Sequence, residues 1–206
     1  MSYRTYQGFK LNSILIIIGI NLLLFVAIDL FLKNIDTNLY IQLISRLGLV
    51  PDIFWSQPWT IVTNMFIHAG FWHIFGNMIT LFFFGGFLSR LVGNNKFLLV
   101  YFTGGVLGNI LYILLGEPLS IAVGASGAVY AVAGALVVMM PNIRVLIWGI
   151  IPMRLWVAVL VFFVIWSIPD FIPGIAWEAH LGGLIFGLIA GYFFRRRARR
   201  LFTFRY

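Results

Sequence analysis

The sequence predicts an all-α integral membrane protein, a bundle of six transmembrane helices with a long first loop and both termini cytoplasmic. Three observations predict it. Of 206 residues, 62% are hydrophobic and 10% charged, far from the roughly 25% charged residues of a soluble domain. Six apolar runs recur along the chain, against the roughly 20 residues a helix needs to cross a ~30 Å hydrocarbon core. The charges between those runs fall on alternate sides by sign.

The runs are about 12–32, 72–90, 97–115, 126–140, 154–171 and 178–194. The first, from Leu11 to Leu32, is longer than the apolar region of a signal peptide and lacks a small-x-small cleavage site, so it reads as a retained span. The stretch 34–71 is a long loop, rich in Trp and Phe and suited to the membrane interface. Turn-forming clusters separate the later runs: Gly93-Asn94-Asn95, Gly116-Glu117-Pro118, Pro141-Asn142 and Pro169-Asp170. The stretch 143–153 is apolar but holds Pro152 and reads as a connection. The organisation expected is a cytoplasmic segment 1–11, a membrane domain 12–194 and a basic cytoplasmic tail 195–206.

With the N-terminus inside, the inner segments carry Arg4, Lys10, Arg90, Lys96, Arg144, Arg154 and six tail arginines, with no acidic residue. The outer side carries Lys33 and Arg46 against Asp36, Asp52, Glu117, Asp170 and Glu178. This split follows the positive-inside rule and supports six spans with both termini inside. The location expected is the plasma membrane of a prokaryote. The tail (Arg195, Arg196, Arg197, Arg199, Arg200 and Arg205) directly follows an apolar helix. It therefore reads as an anchor to lipid headgroups rather than a nucleic-acid site. The chain has no cysteine, which excludes disulfides and thiolate metal sites.

Polar side chains inside hydrocarbon are costly, so each is a candidate site. Spans two, four and six run from outside to inside. His73 opens span two, Ser126 opens span four and His180 comes early in span six. Topology thus brings three distant residues to one depth near the outer face. Ser126 to Met140 is 15 residues, about 22 Å of helix, so Ser126 lies below the outer surface and the loop before it dips inward. Irregular backbone survives there only against protein or a water-filled cavity.

Gly127, Ala131 and Ala135 form a small-residue stripe on span four; Gly183, Gly187 and Gly191 form another on span six. Facing stripes let helices approach closely and bring Ser126 within reach of His180, as a nucleophile and its base require. Histidine suits the base because its pKa lies near working pH. His73 and Asn77 share a helix face and can donate to an oxyanion, as can the backbone N–H groups of Ser126 and Gly127 at a helix N-terminus. Gly124 permits tight backbone beside the serine. Glu178, two residues from His180, falls on nearly the opposite face, so a dyad is expected. Tyr130 could pack on the His180 ring.

Each feature alone has a plainer reading. Ser126 could be only an N-cap, His73 and Asn77 interhelical hydrogen bonders, His180 a packing residue. A transporter would also hold intramembrane polar groups, but no inverted repeat or mid-span charge is visible. A metalloprotease would need His-Glu-x-x-His. Zinc at His68 and His73 is disfavoured, because residues five apart point roughly 140° apart on a helix.

The run His68-Ala69-Gly70-Phe71-Trp72-His73-Ile74-Phe75-Gly76-Asn77, then Gly124-Ala125-Ser126-Gly127 with Tyr130, then Ala179-His180-Leu181-Gly182-Gly183 with Gly187, resembles the rhomboid family of intramembrane serine proteases. Order and spacing agree over about residues 10–195. The resemblance implies a rhomboid-like six-helix bundle with Ser126 as nucleophile, His180 as base, and His73 and Asn77 as oxyanion donors. It makes Tyr130 the aromatic stacked on the base and His68 a structural histidine. It also implies single-span membrane protein substrates, with no metal or cofactor. Many members carry Trp-Arg in the first loop, whereas Trp59 precedes Thr60 here. An inactive rhomboid-like binding protein is the alternative; such proteins typically lose the serine or histidine, and both are present.

For substrate entry, span five is the expected lateral gate. It has no glycine and carries the bulky Trp156, Phe162, Phe163, Trp166 and Phe171, which prevent close helix approach. The loop Ser167–Trp177, with Pro169, Pro173 and Gly174, is the expected lid.

Overall fold

In hydrocarbon a chain must satisfy its own backbone hydrogen bonds, so apolar runs become helices. The computed structural model describes residues 12–147, 150–165, 167 and 174–202. Among the described residues, four helices are long and apolar enough to cross a membrane. They are α1 (Ser13–Ile35), α3 (Phe71–Val92), α4 (Asn94–Leu115) and α7 (Trp177–Phe202), whose apolar part ends at Arg195. Two apolar helices are shorter, α5 (Ser126–Met139) and α6 (Leu155–Ile165). Both α1 and α3 widen to π-helical turns, at Val26–Leu32 and Leu81–Gly85.

The long first connection is ordered rather than loose. Asp36 caps the amphipathic helix α2 (Thr37–Leu47), its carboxylate accepting from the Leu39 N–H at 2.9 Å. Trp59, which lacks the arginine neighbour, donates its indole N–H to the Arg46 carbonyl at 2.8 Å, and the Thr63 hydroxyl donates to the Leu47 carbonyl at 2.8 Å. Leu49 and Ala122 exchange both backbone hydrogen bonds, at 2.9 and 2.8 Å. That bridge ties the connection to the segment that enters α5.

The expectation of an all-α chain is corrected at the connection between α5 and α6. There β1 (Arg144–Ile147) pairs antiparallel with β2 (Ile151–Arg154). β-Branched Val145, Ile147 and Ile151 favour extended backbone. Pro152 faces Leu146 across the ladder. Because the Leu155 N–H bonds the Ile143 carbonyl, alternation makes Leu146–Pro152 a non-hydrogen-bonded pair, where a missing N–H costs nothing.

Helix α5 is the centre of the bundle, with ten of its fourteen residues buried. Its small stripe meets that of α7 as expected. A Cβ on Gly183 would land on the Gly127 carbonyl, one on Gly187 on the Ala131 carbonyl, and one on Gly191 would lie 2.5 Å from the Ala135 carbonyl. Helix α4 closes the other side, Gly108 lying against the Ala179 carbonyl. The expected 1–11 segment lies outside the described residues. The basic tail shows no break at 195, since α7 runs on to Phe202.

Candidate active site

Helix α5 begins where Gly124, at φ 123°, turns the chain. The N-cap position belongs to Ala125, and no side chain caps the helix. Ser126 is therefore the first helical residue and not the cap, and its hydroxyl is spent elsewhere. Its Oγ lies 2.8 Å from His180 Nε2. The first backbone N–H groups of α5 lack intrahelical acceptors, and the helix dipole makes that end favourable to negative charge. Gly127 packs under the Ala179 carbonyl, 3.1 Å from where its Cβ would be. The close seam between α5 and α7 is thus what joins the serine to the histidine.

His180 is buried. The Tyr130 ring lies over it with centroids 4.6 Å apart, 37° from parallel. Tyr130 is itself held by its hydroxyl donating to the Phe162 carbonyl at 3.2 Å and by the Phe163 ring edge-on at 5.7 Å. The Nδ1 of His180 meets the Ser167 hydroxyl at 3.3 Å. With the Ser126 hydroxyl donating to Nε2, the imidazole carries its proton on Nδ1 and Ser167 accepts it.

His73 covers Gly124: a Cβ there would lie 2.6 Å from His73 Nε2 and 3.7 Å from Ser126 Oγ. The imidazole and the serine hydroxyl thus border one small space. Asn77, one turn along α3, is buried and donates one amide hydrogen to the His73 carbonyl at 2.9 Å. Its second N–H has no hydrogen bond to Ser126 among the described residues.

His68 stands before α3, since Gly70 at φ 103° starts that helix afresh. The angle expected for two histidines on one helix therefore does not apply. The His68 and His73 rings lie edge to face, 5.1 Å apart. Burial, with His73 beside it, lowers the His68 pKa to about 3. Its neutral Nε2 accepts the Ala125 N–H at 3.4 Å and holds the approach to Ser126.

Sequence reasoning missed three residues. Ser167 gave no signal, as one serine after an apolar run. Asn64 and Asn109 form a reciprocal amide pair, at 3.1 and 2.7 Å, both buried. Asn109 also donates to the Ile61 carbonyl at 2.8 Å, and the Asn64 carbonyl accepts the Gly124 N–H at 2.8 Å. The pair ties the first connection, α4 and the turn before Ser126 together. A polar residue mid-span in α4 was the available signal for Asn109.

Of the expected gate, Trp156 is exposed at the start of α6 and Phe162 is half-buried with its carbonyl tied to Tyr130. Trp166 and most of the expected lid, residues 168–173, lie outside the described residues. The aromatic that touches the site from α6 is Phe163.

A family model described as Rhomboid domain matches residues 56–197. The chain is 34% identical over 139 residues to the putative rhomboid protease YdcA of Bacillus subtilis, covering 66% of this chain and 67% of that protein. It is 28% identical over 167 residues to the mitochondrial Rhomboid protein 1 of Saccharomyces cerevisiae, covering 69% of this chain and 45% of that one. It is 34% identical over 141 residues to the mitochondrial RHOMBOID-like protein 6 of Arabidopsis thaliana, covering 66% and 44%. The chain thus spans under half the length of the two mitochondrial relatives.

Proposed function

The chain belongs to the rhomboid family, and from that premise we propose that it is an intramembrane serine endopeptidase. It cuts single-span membrane proteins in or near their transmembrane segments. The observation that carries the reading is the 2.8 Å contact between Ser126 Oγ and His180 Nε2, made by a serine that opens a helix without capping it. The multi-pass membrane character follows from the family and from four helices of spanning length. Our reading adds α5 and α6 as shorter spans, six in all, with both termini cytoplasmic in a prokaryotic plasma membrane.

In the reaction, His180 Nε2 takes the proton of Ser126 as Oγ attacks the scissile carbonyl. The negative charge that develops on the carbonyl oxygen faces the N–H groups of Ser126 and Gly127, His73 and the second amide hydrogen of Asn77. His180 then returns its proton to the leaving amine, and the acyl group stays on Oγ. Water, activated by His180, releases the acid and restores the serine. No metal or cofactor enters these steps.

Substrate enters sideways past α6, which supplies the gate with Trp156 and Phe162; Trp166, the third expected gate residue, follows it in the sequence. Support comes from the sparse burial of α6: Leu155, Ala158 and Val159 are its buried residues.

The experiment is incubation of the purified protein with a model transmembrane substrate beside Ser126→Ala, with fluorophosphonate labelling of the hydroxyl. Cleavage and labelling by the unaltered protein, both absent in the variant, are expected. A folded wild type that neither cleaves nor labels would make it an inactive binding member instead.

A further inference from the structure

The hairpin between α5 and α6 carries an electrostatic anomaly. Arg144 faces Arg154 directly across the ladder. The alternation that frees Pro152 makes this a non-hydrogen-bonded pair too, the kind in which opposed side chains come closest. Like charges directly opposite destabilise a sheet. Both arginines are exposed, and among the described residues neither has an acidic partner within ion-pair distance.

The rest of the hairpin says where it sits. One face turns inward: Ile143 and Val145 pack on the main core and, with Phe83, Phe84, Phe87, Leu136 and Leu155, line an apolar cavity of about 200 Å³. Phe87 stands five residues before the end of the 22-residue helix α3, or about 7.5 Å up its axis. The hairpin therefore lies alongside a membrane-crossing helix instead of hanging free in water. Beyond the two arginines, its other face and its tip are apolar and open, with Leu146 62% and Ile150 77% exposed. An element with a cationic base and an apolar tip, level with the end of a spanning helix, matches the boundary between headgroups and acyl chains.

We propose that Arg144 and Arg154 together clamp the phosphate of an anionic phospholipid, while Leu146 and Ile150 enter the acyl region beside it. Guanidinium groups bind phosphate through paired N–H donors, and a shared anion turns their repulsion into a bridge. The membrane supplies that anion at this depth. The inference stands apart from the proteolytic reading, because neither arginine touches Ser126 or His180.

The test uses the full chain in nanodiscs of phosphatidylcholine, with or without phosphatidylglycerol, read by thermal unfolding. The wild type should gain about 2–4 °C from phosphatidylglycerol. R144Q and R154Q should each lose most of that gain. In pure phosphatidylcholine they should be as stable as the wild type or more so, because the repulsion is relieved. R46Q, which removes an exposed charge elsewhere, should keep the gain. The proposal is overturned if the hairpin variants keep the full gain or if they lose equal stability in both lipids. An equal loss of gain in R46Q, which would indicate unspecific charge attraction, also overturns it. So does an equal gain from inorganic phosphate in phosphatidylcholine discs, which would make the ligand a free anion.

Discussion

Two walls of the bundle differ in kind. Along the α5–α7 seam, backbone meets backbone: Gly183, Gly187 and Gly191 each leave room for nothing larger. Along α6, Trp156, Leu160, Val164 and Ile165 stand between 42% and 52% exposed, and Tyr130 reaches across to the Phe162 carbonyl. The seam fixes the distance between the two helices by backbone contact, the kind of positioning that a nucleophile and its base need. The α6 wall sets no such distance; it touches the pair through Tyr130 and Ser167, and it can move while the α5–α7 seam keeps Ser126 and His180 together.

The sharpest way to break this contrast is to put bulk on each wall. Gly183→Val should drive the seam apart, since its Cβ meets the backbone of Gly127 and not a flexible side chain. Folded protein and fluorophosphonate labelling should both be lost, while Val161→Leu on α6 should leave the unfolding temperature unchanged. A Gly183→Val protein that still labels would remove the claim that the seam is what joins the pair.

Next come changes that spare the seam. Ser126→Ala and His180→Ala should each cut proteolysis by roughly 10⁴-fold or more with the fold retained. The double variant should be little worse, because such groups act as a unit. Full activity in either single variant would end the dyad mechanism. Asn77→Ala and His73→Ala should each lower kcat by roughly 10- to 1000-fold, the scale of one oxyanion donor. A rise in KM alone would reassign that residue to substrate binding.

Asn109→Ala probes the second support of the serine. It strands the Asn64 amide and costs about 1–3 kcal/mol of stability. It should also slow labelling of Ser126 through the Gly124 N–H held by the Asn64 carbonyl. Lower melting with unchanged labelling would limit the pair to a packing role.

The smallest expected effect lies on the loose wall. Phe162→Ala should speed cleavage of a transmembrane substrate several-fold and change fluorophosphonate labelling much less, since the probe arrives through water. Equal acceleration of both reactions would count against α6 as the gate.

How much was legible follows from how each feature is encoded. The apolar runs became helices because hydrocarbon offers no other partner for the backbone. The seam was legible because close approach needs small residues at fixed spacing, a pattern written in one dimension. Ser126, His180, Tyr130 and His73 could be named because polar groups in apolar runs stand out. The sequence by itself thus determined the membrane class, the main helices and which side chains could meet.

Only the tertiary structure decided how they meet. Ser167 reaches His180, and Asn64 pairs with Asn109 across 45 residues, because separate segments arrive at one place. A lone serine or asparagine carries no record of that arrival. The hairpin escaped for another reason: Val145 through Arg154 is as apolar as a helix segment would be. Its strands exist because α5 and α6 end side by side and leave the chain a short return. His68 teaches the same point, since five residues of spacing mean an angle only where the helix continues, and Gly70 stops it. Spacing speaks for residues within one element. Between elements the answer belongs to packing, which is a property of the whole chain at once.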